Sequence, residues 1–434
     1  MALRLTRLTF IDAARVRWFG VGRFGAGVFA FCFAIFLSGC ATIPPPRAAL
    51  NLLARAPAPG QDRTSYNLSV YDNVWTWVYR DYYDAQFNGV DWRAARERHR
   101  AEAAAARDDD ALYKAINGLL EELKDRHTHA ADAREFASLF RHINAVVGLR
   151  TEPVPQAADG RRRVIEVLPE SPAALAGVQV GWWLLACDGR PPAEVLGPGK
   201  LQAGQVVRCE FLTAEGATRV LELKARRLSF PPYRSVQEKG DHVLVLRFDS
   251  FDLPSAHWLR DQLLSHPSTK AVILDLRGNT GGHVFALASI LGDVFPTPVS
   301  LGEMVHRGHV SRWHRSLSQG GGAHFVGPLV VVVSHDTASA AEIFAQLIQD
   351  YGRGKVVGTR TAGAVLTSVF WPLAGGGELQ LSVYDYRSPK GRRLEGNGVV
   401  PDLSVPIPEE PPASGQEDTV LKAALGLLGE NQTQ

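Results

Sequence analysis

A serine stands between an apolar, strand-like segment and a helix-like one, in the sequence TASAAE at 337–342. A sharp strand-to-helix turn exposes a hydroxyl, and backbone N–H groups at the helix N-terminus stabilise a developing oxyanion. Ser339 therefore suits a nucleophile. Serine is also a common helix N-cap, so its position alone leaves both interpretations open.

The segment DLRGNTGG at 275–282 places three glycines after a nearly all-apolar strand. Glycines in such a place indicate that the backbone closely approaches another group. The segment lacks the lysine of the phosphate loop GxxxxGK[ST] and the GxGxxG spacing of dinucleotide sites. A loop that donates N–H groups to an oxyanion is the other interpretation.

A candidate base and a candidate acid lie far from the serine along the chain. His127 occurs in LKDRHTHA at 123–130, and Glu395 in LEGNGVVPD at 394–402. A neutral histidine can take the proton of a serine hydroxyl, and a carboxylate can hold the imidazole in one tautomer. Taken singly, a lone histidine is more often a structural residue, and the glutamate fits a turn.

The elements around these residues change character along the chain. Helical spacing of Val70, Val74, Trp77 and Val78 predicts helices through 66–140. From residue 241, apolar strands alternate with helical segments, which predicts a mixed sheet with helical cover. The predicted strands are 242–248, 271–275, 329–334 and 355–358, the predicted helices are 255–265, 284–291 and 341–351, and a hairpin is predicted around 378–388.

Short strands and turns occupy 143–227, and one stretch resembles a PDZ domain. The sequence VIEVLPESPAALAGV at 164–178, with DG at 188–189, is similar to the circularly permuted PDZ domains of bacterial proteases. Trp182 stands where that pattern has aspartate. The resemblance implies that Val147, Gly148 and Leu149 form the loop that accepts a peptide C-terminus. The alternative is a structural β-domain without peptide affinity.

Together these segments resemble one family, the C-terminal-processing (tail-specific) serine proteases and their tricorn-like relatives. The resemblance covers most of 66–407, and TASAAEIFAQLIQDYGR, DLRGNTGG and GNGVVPD carry it. It implies an α/β multidomain protein: a helical N-terminal lead, a PDZ-like β domain and a mixed α/β protease core of the ClpP/crotonase type.

Carried over residue by residue, the resemblance makes Ser339 the nucleophile. Tail-specific members use a lysine base one motif later, and Ala364 occupies that place here. The tricorn-like branch uses histidine and glutamate instead, and His127 and Glu395 fall on those positions. That branch has a serine before the histidine, whereas this chain has Arg126.

The resemblance also implies an oxyanion hole formed by the N–H groups of Ala340 and of Gly281 or Gly282. It predicts a serine endopeptidase that acts on unfolded or C-terminally captured polypeptides, with no metal or organic cofactor. His283 and His335 are alternative bases. Two other functions stay open, a non-catalytic peptide- or partner-binding scaffold and a binding protein for a small hydrophobic ligand.

The composition agrees with a folded, multidomain chain. Its 434 residues are 45% apolar and carry a formal net charge of +2. Such an apolar fraction supports a packed core. Nucleic-acid binding requires a clustered basic surface, so the near-zero charge argues against it.

The first 39 residues are predicted to be a lipoprotein signal sequence. They contain five arginines and one aspartate, followed by the apolar run GAGVFAFCFAIFLSG at 25–39. This run is too short for a membrane-spanning helix. LSGC at 37–40 resembles the bacterial lipobox, which implies lipidation of Cys40 and a membrane anchor. Ala41 after it implies sorting to the outer membrane, with the protein facing the periplasm.

These observations divide the chain into predicted regions: 1–39 signal sequence, 40–65 lipidated cysteine and Pro-rich tether, 66–140 helical domain, 141–228 PDZ-like domain, 229–407 protease core and 408–434 peripheral tail. The sequence leaves two questions open, the oligomeric state and the state of Cys187 and Cys209. In an oxidising compartment these two thiols form a disulfide or stay free and buried.

Overall fold

The computed structural model describes residues 62–136, 143–153, 160–196, 200–229, 231–240, 242–313, 315–316, 325–406 and 418–430. The predicted signal sequence, Cys40 and nearly all of the tether lie outside these residues. Within these ranges, no helix is both long enough and apolar enough to cross a bilayer.

The helices are α1 Arg63–Asp81, α2 Trp92–Ala105, α3 Asp109–Glu121, α4 Pro172–Leu175, α5 Pro192–Leu196, α6 Leu253–Ser265, α7 Val284–Val294, α8 Ala340–Asp350 and α9 Thr419–Glu430. The strands are β1 His129–Ala131, β2 Ile143–Val146, β3 Leu149–Pro153, β4 Arg162–Val167, β5 Trp183–Cys187, β6 Val206–Leu212, β7 Thr218–Lys224, β8 Arg226–Ser229, β9 Arg234–Lys239, β10 Val243–Phe248, β11 Ala271–Asp275, β12 Glu303–His306, β13 His309–Arg312, β14 Leu329–Val333, β15 Lys355–Gly358, β16 Thr367–Pro372, β17 Glu378–Arg387 and β18 Leu403–Ser404.

Aspartate caps define the starts of the first three helices. The Asp62 carboxylate accepts from the Ser65 N–H at 3.0 Å, and α1 begins at Arg63, so it includes the last three residues of the predicted tether. Asp91 caps α2. Asp108 caps α3, and its carboxylate accepts from the Ala111 N–H at 2.8 Å.

The helical lead shares its core with the C-terminal half of the chain. Buried side chains of α1–α3 pack in one cluster with β16 and β17. Trp77 of α1 stacks on Trp371 of β16, with ring centroids 4.1 Å apart. The lead is therefore not an independent core, and it fixes the position of the segment that follows α3.

A six-stranded sheet in the order β18-β15-β14-β11-β10-β9 forms the centre of the predicted core region 229–407. All its neighbouring strands are parallel except β9 and β10, which are antiparallel. In β10, β11, β14 and β15 alternate residues point to opposite faces, and both faces are covered, so these four strands are mostly apolar. The edge strand β9 is polar and mostly exposed. Helices α6, α7 and α8 pack on one face and α9 on the other.

Two predictions for this region were wrong in detail. The predicted peripheral tail contributes α9, whose Val420, Ala424 and Leu428 are buried against the central sheet. Glu378–Arg387 is one long strand, and its hairpin partner is β16. The apolar side of α9 is buried because it packs on the central sheet, a contact distant in sequence. β17 continues without a turn because it pairs along its length with β16.

The predicted PDZ-like region is an antiparallel five-stranded meander in the order β3-β4-β5-β6-β7, with a separate β2–β8 pair. It has its own apolar core. Trp182 belongs to that core, edge-on to Phe211 at 6.0 Å and below the Arg219 guanidinium. The aspartate of the family pattern is thus replaced here by a packing residue.

Candidate active site

Ser339 occupies the turn between β14 and α8 in an unusual backbone conformation. Its φ is +54° and its ψ is −121°. An N-cap residue normally has extended dihedrals, whereas a side-chain-bearing residue in this region is strained by about 1–3 kcal/mol. Such a strained strand-to-helix turn presents a nucleophilic serine in other hydrolases. The geometry therefore favours the nucleophile over an ordinary cap.

A buried carboxylate supports this turn from below. Glu342 is fully buried, and its Oε2 accepts from the N–H groups of Ser339 (3.1 Å) and Ala364 (2.9 Å). Its Oε1 accepts from the Gly363 N–H at 2.7 Å and from the Thr361 hydroxyl. Burial raises the pKa of Glu342, and these hydrogen bonds oppose the shift. The carboxylate thereby ties the serine turn to the loop that contains Ala364.

The glycine-rich loop after β11 lies directly against the serine. A Cβ added to Gly281 would stand 2.6 Å from the Ser339 Cβ and 2.9 Å from the Ala340 nitrogen. Gly281 also has φ +98°, where side chains are rarely tolerated. The loop is thus the second wall of the serine site, and glycine is required for the close approach.

The two candidate glycines differ in their N–H groups. The Gly281 N–H donates to Asn279 Oδ1 at 2.9 Å. Among the described residues, no acceptor lies on the N–H of Gly282 or of Ala340, the first residue of α8. Gly282 and Ala340 therefore have donors available, and Gly281 does not.

His127 is held by an aspartate two residues earlier. Asp125 Oδ1 accepts from the N–H groups of His127 and Thr128, both at 2.7 Å, and from Ser382 Oγ at 3.2 Å. Ser382 belongs to β17, which also pairs with β1. The turn that carries His127 is thereby anchored to β17.

His127 and Ser339 line one cavity of about 290 Å³. Its walls are Gly281, Gly282 and His283 of the glycine loop, the α8 start, and Ser368, Phe370 and Gln380 of β16 and β17. Apolar side chains of Leu287, Ile343 and Leu366 also line it. A cavity holding a serine hydroxyl, a histidine and free N–H donors can bind and attack a carbonyl carbon.

Glu395 lies against the loop that contains Ala364. Its Oε2 accepts from the N–H groups of Val365 (2.8 Å) and Leu366 (3.2 Å). It makes no hydrogen bond with His127, whose buried Nδ1 has no partner among the described residues. The predicted hydrogen bond between Glu395 and His127 is thus not formed in this structure; the Glu395 Oε2 atom instead binds the two backbone amides. The role of Glu395 stays a prediction.

The electrostatics keep the imidazole neutral. Burial lowers the pKa of His127, the nearby Asp125 carboxylate raises it, and His129 and Arg126 lower it further. Burial also raises the pKa of Glu395, while its bonds to Val365 and Leu366 oppose that shift. A neutral imidazole is the form that accepts a proton.

Comparison with known proteins identifies the family. The model of peptidase family S41 matches residues 242–405, and that of the tricorn protease C1 domain matches 67–121. The chain is 28% identical to the carboxyl-terminal-processing protease of Picosynechococcus sp. over 383 residues, 83% of this chain and 88% of that protein. It is 28% identical to the chloroplastic C-terminal processing peptidase of Tetradesmus obliquus, over 81% of this chain and 79% of the relative.

The chain contains a peptidase family S41 domain at 242–405 and is similar over most of its length to carboxyl-terminal-processing proteases. It is a serine-type peptidase, as its sequence motifs predicted. Solved structures that share its fold include the following two. The photosystem II D1 C-terminal processing protease has a TM-score of 0.51 at 24% identity, covering 79% of this chain and 95% of that one. Mature CPAF has a TM-score of 0.52 at 16% identity, covering 80% and 93%. The predicted α/β multidomain fold is confirmed.

The predicted peptide-binding loop of this peptidase leads into β3, an edge strand of the five-stranded meander. Gly148 has φ +84°, and its carbonyl accepts from the Leu168 N–H at 2.9 Å. Val147 is buried, and Leu149 begins β3, which pairs on one side with β4. Within the described strands, the other edge of β3 has no partner. An edge strand beside a glycine loop can accept an added peptide strand.

The alternative bases are placed differently by the structure. His283 lines the cavity, whereas the His335 side chain is 80% exposed and contacts Asp336. Among the described residues, no group of three or more metal-ligating side chains converges.

Sequence reasoning missed Asp125 and Glu342. Both had a local signal. Aspartate accepts hydrogen bonds from the backbone two residues on, which Asp125 does for His127. The spacing of Ser339 and Glu342 is that of a capping box, in which the glutamate accepts from the N-cap N–H.

Proposed function

We propose that this peptidase is an endopeptidase of the cell envelope in which Ser339 is the nucleophile and His127 the general base. The observation that carries the proposal is the strained Ser339 turn facing His127 across one cavity, with Gly281 packed against its Cβ. A serine hydroxyl becomes nucleophilic only when a base takes its proton. Ala364, at the family lysine position, has no group that accepts one.

In this mechanism His127 takes the Ser339 proton as Oγ attacks the scissile carbonyl, and later delivers it to the leaving amine. The N–H groups of Ala340 and Gly282 stabilise the oxyanion. Asp125 places a negative charge near the ring that stabilises the imidazolium. Glu395, bound to the Val365 and Leu366 N–H groups in this structure, would orient the imidazole as the family resemblance implies.

The substrates are proposed to be polypeptides captured by their C-termini. Val147, Gly148 and Leu149 would hold the terminal carboxylate while the chain adds to the free edge of β3. A lipid on Cys40 would anchor the protein to the outer membrane, facing the periplasm. The predicted lipobox supports the anchor and location.

Labelling with a fluorophosphonate probe tests the nucleophile. We expect the purified protein to be labelled and Ser339→Ala to be unlabelled, because the probe reacts only with an activated serine. Thr337→Ala, two residues away, controls for nonspecific loss if its melting temperature is preserved. Absence of labelling in the wild type, with and without hydrophobic C-terminal peptides, would instead indicate the non-catalytic scaffold.

The pH profile of kcat/KM tests the electrostatic role of Asp125; its acid limb is the fall in kcat/KM at low pH. Activity needs neutral His127, so kcat/KM falls as pH drops through the pKa of His127, which lies below its usual value. Asp125→Asn removes a charge that raises this pKa, so the acid limb should move to lower pH. The plateau kcat should fall by about tenfold, since the imidazolium loses a stabilising charge.

Ser382→Ala is the matched control for this profile. It removes one hydrogen bond to the Asp125 carboxylate and leaves the charge in place. Its acid limb should coincide with that of the wild type. If the acid limb of Asp125→Asn stayed at the wild-type pH or moved to higher pH, Asp125 would act only on the fold of the turn.

A further inference from the structure

Two cysteines face each other in the five-stranded meander. Cys187 of β5 and Cys209 of β6 are direct cross-strand partners, and their Sγ atoms are 2.7 Å apart. Both are free thiols and fully buried in the same apolar core. They are the two cysteines of the sequence that lie beyond residue 40.

The register suits a covalent bond. Directly opposed residues of antiparallel strands have Cα atoms about 4.5–5.5 Å apart, inside the range of about 4.4–6.8 Å that disulfides require. The sulfur atoms must approach by about 0.7 Å to reach a bond length near 2.05 Å. Side-chain torsions can supply a change of that size without moving either strand.

A metal is not the explanation for the pair. A structural zinc site needs four ligands, and within the described ranges no third histidine, cysteine or carboxylate joins these two sulfurs. Two thiols that touch within an apolar core gain little beyond ordinary packing.

We propose that Cys187 and Cys209 form a disulfide when the chain folds in contact with a protein-disulfide oxidant or oxidised glutathione. One cysteine thiolate attacks a sulfur of the oxidant's disulfide, which forms a mixed disulfide and releases one thiol. The second cysteine thiolate then attacks the protein sulfur of this mixed disulfide, forms the Cys187–Cys209 bond and releases the oxidant's other thiol. The two cysteines lose two electrons and two protons, and the oxidant becomes two thiols.

We expect the disulfide to form during folding, before the apolar core closes around the two cysteines. The hydrogen bond to Cys209 and burial both raise the pKa of Cys187, so the finished core holds little thiolate. The bond closes the segment 187–209 and joins β5 to β6. It stabilises the unit that contains Val147 and leaves the serine cavity untouched. The inference therefore stands apart from the proposed function.

Differential alkylation of the full chain, expressed in an oxidising compartment and purified without reductant, tests this. After denaturation, Cys187 and Cys209 should resist iodoacetamide until reduced, and peptide mapping should recover the two peptides linked to each other. Alkylation of both cysteines before reduction, including after equilibration with oxidised glutathione, would overturn the proposal. So would linkage of either cysteine to Cys32 or Cys40.

Thermal unfolding supplies an independent readout. Reductant should lower the melting temperature of the wild type by about 5 °C or more, since a disulfide restricts the unfolded chain. The double variant Cys187→Ala/Cys209→Ala should show no response to reductant. An equal response in both proteins would contradict the proposal, and the mapping of the wild type decides the matter if the variant fails to fold.

Discussion

Replacing His127 with alanine is expected to lower kcat for peptide cleavage by about 10⁶-fold, the loss seen when the histidine of a serine–histidine–aspartate triad is removed. KM should change little, because His127 acts on the proton of Ser339 and not on substrate binding. Among the residues that line the described cavity there is no lysine that could replace it. Steady-state kinetics on a fluorogenic peptide measures the effect, and Ser339→Ala gives the background activity.

His129→Ala is the matched control. His129 lies two residues further along the same turn, and its Nδ1 is 3.3 Å from the His127 carbonyl oxygen. Its removal should keep kcat within a few-fold of the wild type. If His127→Ala retained more than a hundredth of the activity while Ser339→Ala retained none, another base would operate. His283 would be the first to replace, since it lines the same cavity.

The loop that contains Ala364 shows why the family lysine can be absent without collapse of the site. Four consecutive N–H groups, from Gly363 to Leu366, donate to two carboxylates, those of Glu342 and Glu395. The Ala364 carbonyl also accepts from the Ser339 N–H at 2.8 Å. In all these contacts the 363–366 loop uses only its backbone atoms. The loop therefore positions Ser339 whichever side chain residue 364 carries. The general base can then come from another part of the chain.

The central sheet was predictable because its strands are apolar on both faces and separated by helices. Predicted strands 271–275 and 355–358 match β11 and β15 at both ends. Such strands follow from local pattern alone. The shared core of the helical lead with β16 and β17 was not predictable in this way, because it depends on contacts between residues about 300 positions apart.

The site was predictable in part, for a related reason. Ser339, the glycine loop and His127 lie in recognisable motifs, and the structure brings them to one cavity. Motifs do not reveal which donors stay free. The Gly281 N–H is already bound by Asn279, and the Glu395 carboxylate by the 365–366 backbone. Hydrogen bonds of this kind depend on the exact path of the folded loop, which local sequence does not specify.

Gly281→Ala is expected to lower kcat by about 10²–10³-fold, an effect comparable to losing an oxyanion-hole donor. The added methyl group would meet the Ser339 Cβ at 2.6 Å, the Ala338 carbonyl oxygen at 2.9 Å and the Ala340 nitrogen at 2.9 Å. Two of these three contacts are with backbone atoms, which cannot rotate away. The serine turn must therefore shift, and both the nucleophile and the Ala340 N–H move with it.

Gly278→Ala separates this contact from backbone strain. Gly278 lies in the same loop with φ +76°, so alanine there is strained in a similar way, but its added Cβ would meet nothing within 4 Å. Both variants should lose thermal stability, since an L-residue at positive φ costs about 1–2 kcal/mol, and Gly281→Ala should lose more because of its three close contacts. Only Gly281→Ala should lose fluorophosphonate reactivity and kcat. Equal activity in the two variants would mean that the glycine loop does not form a wall of the reacting centre.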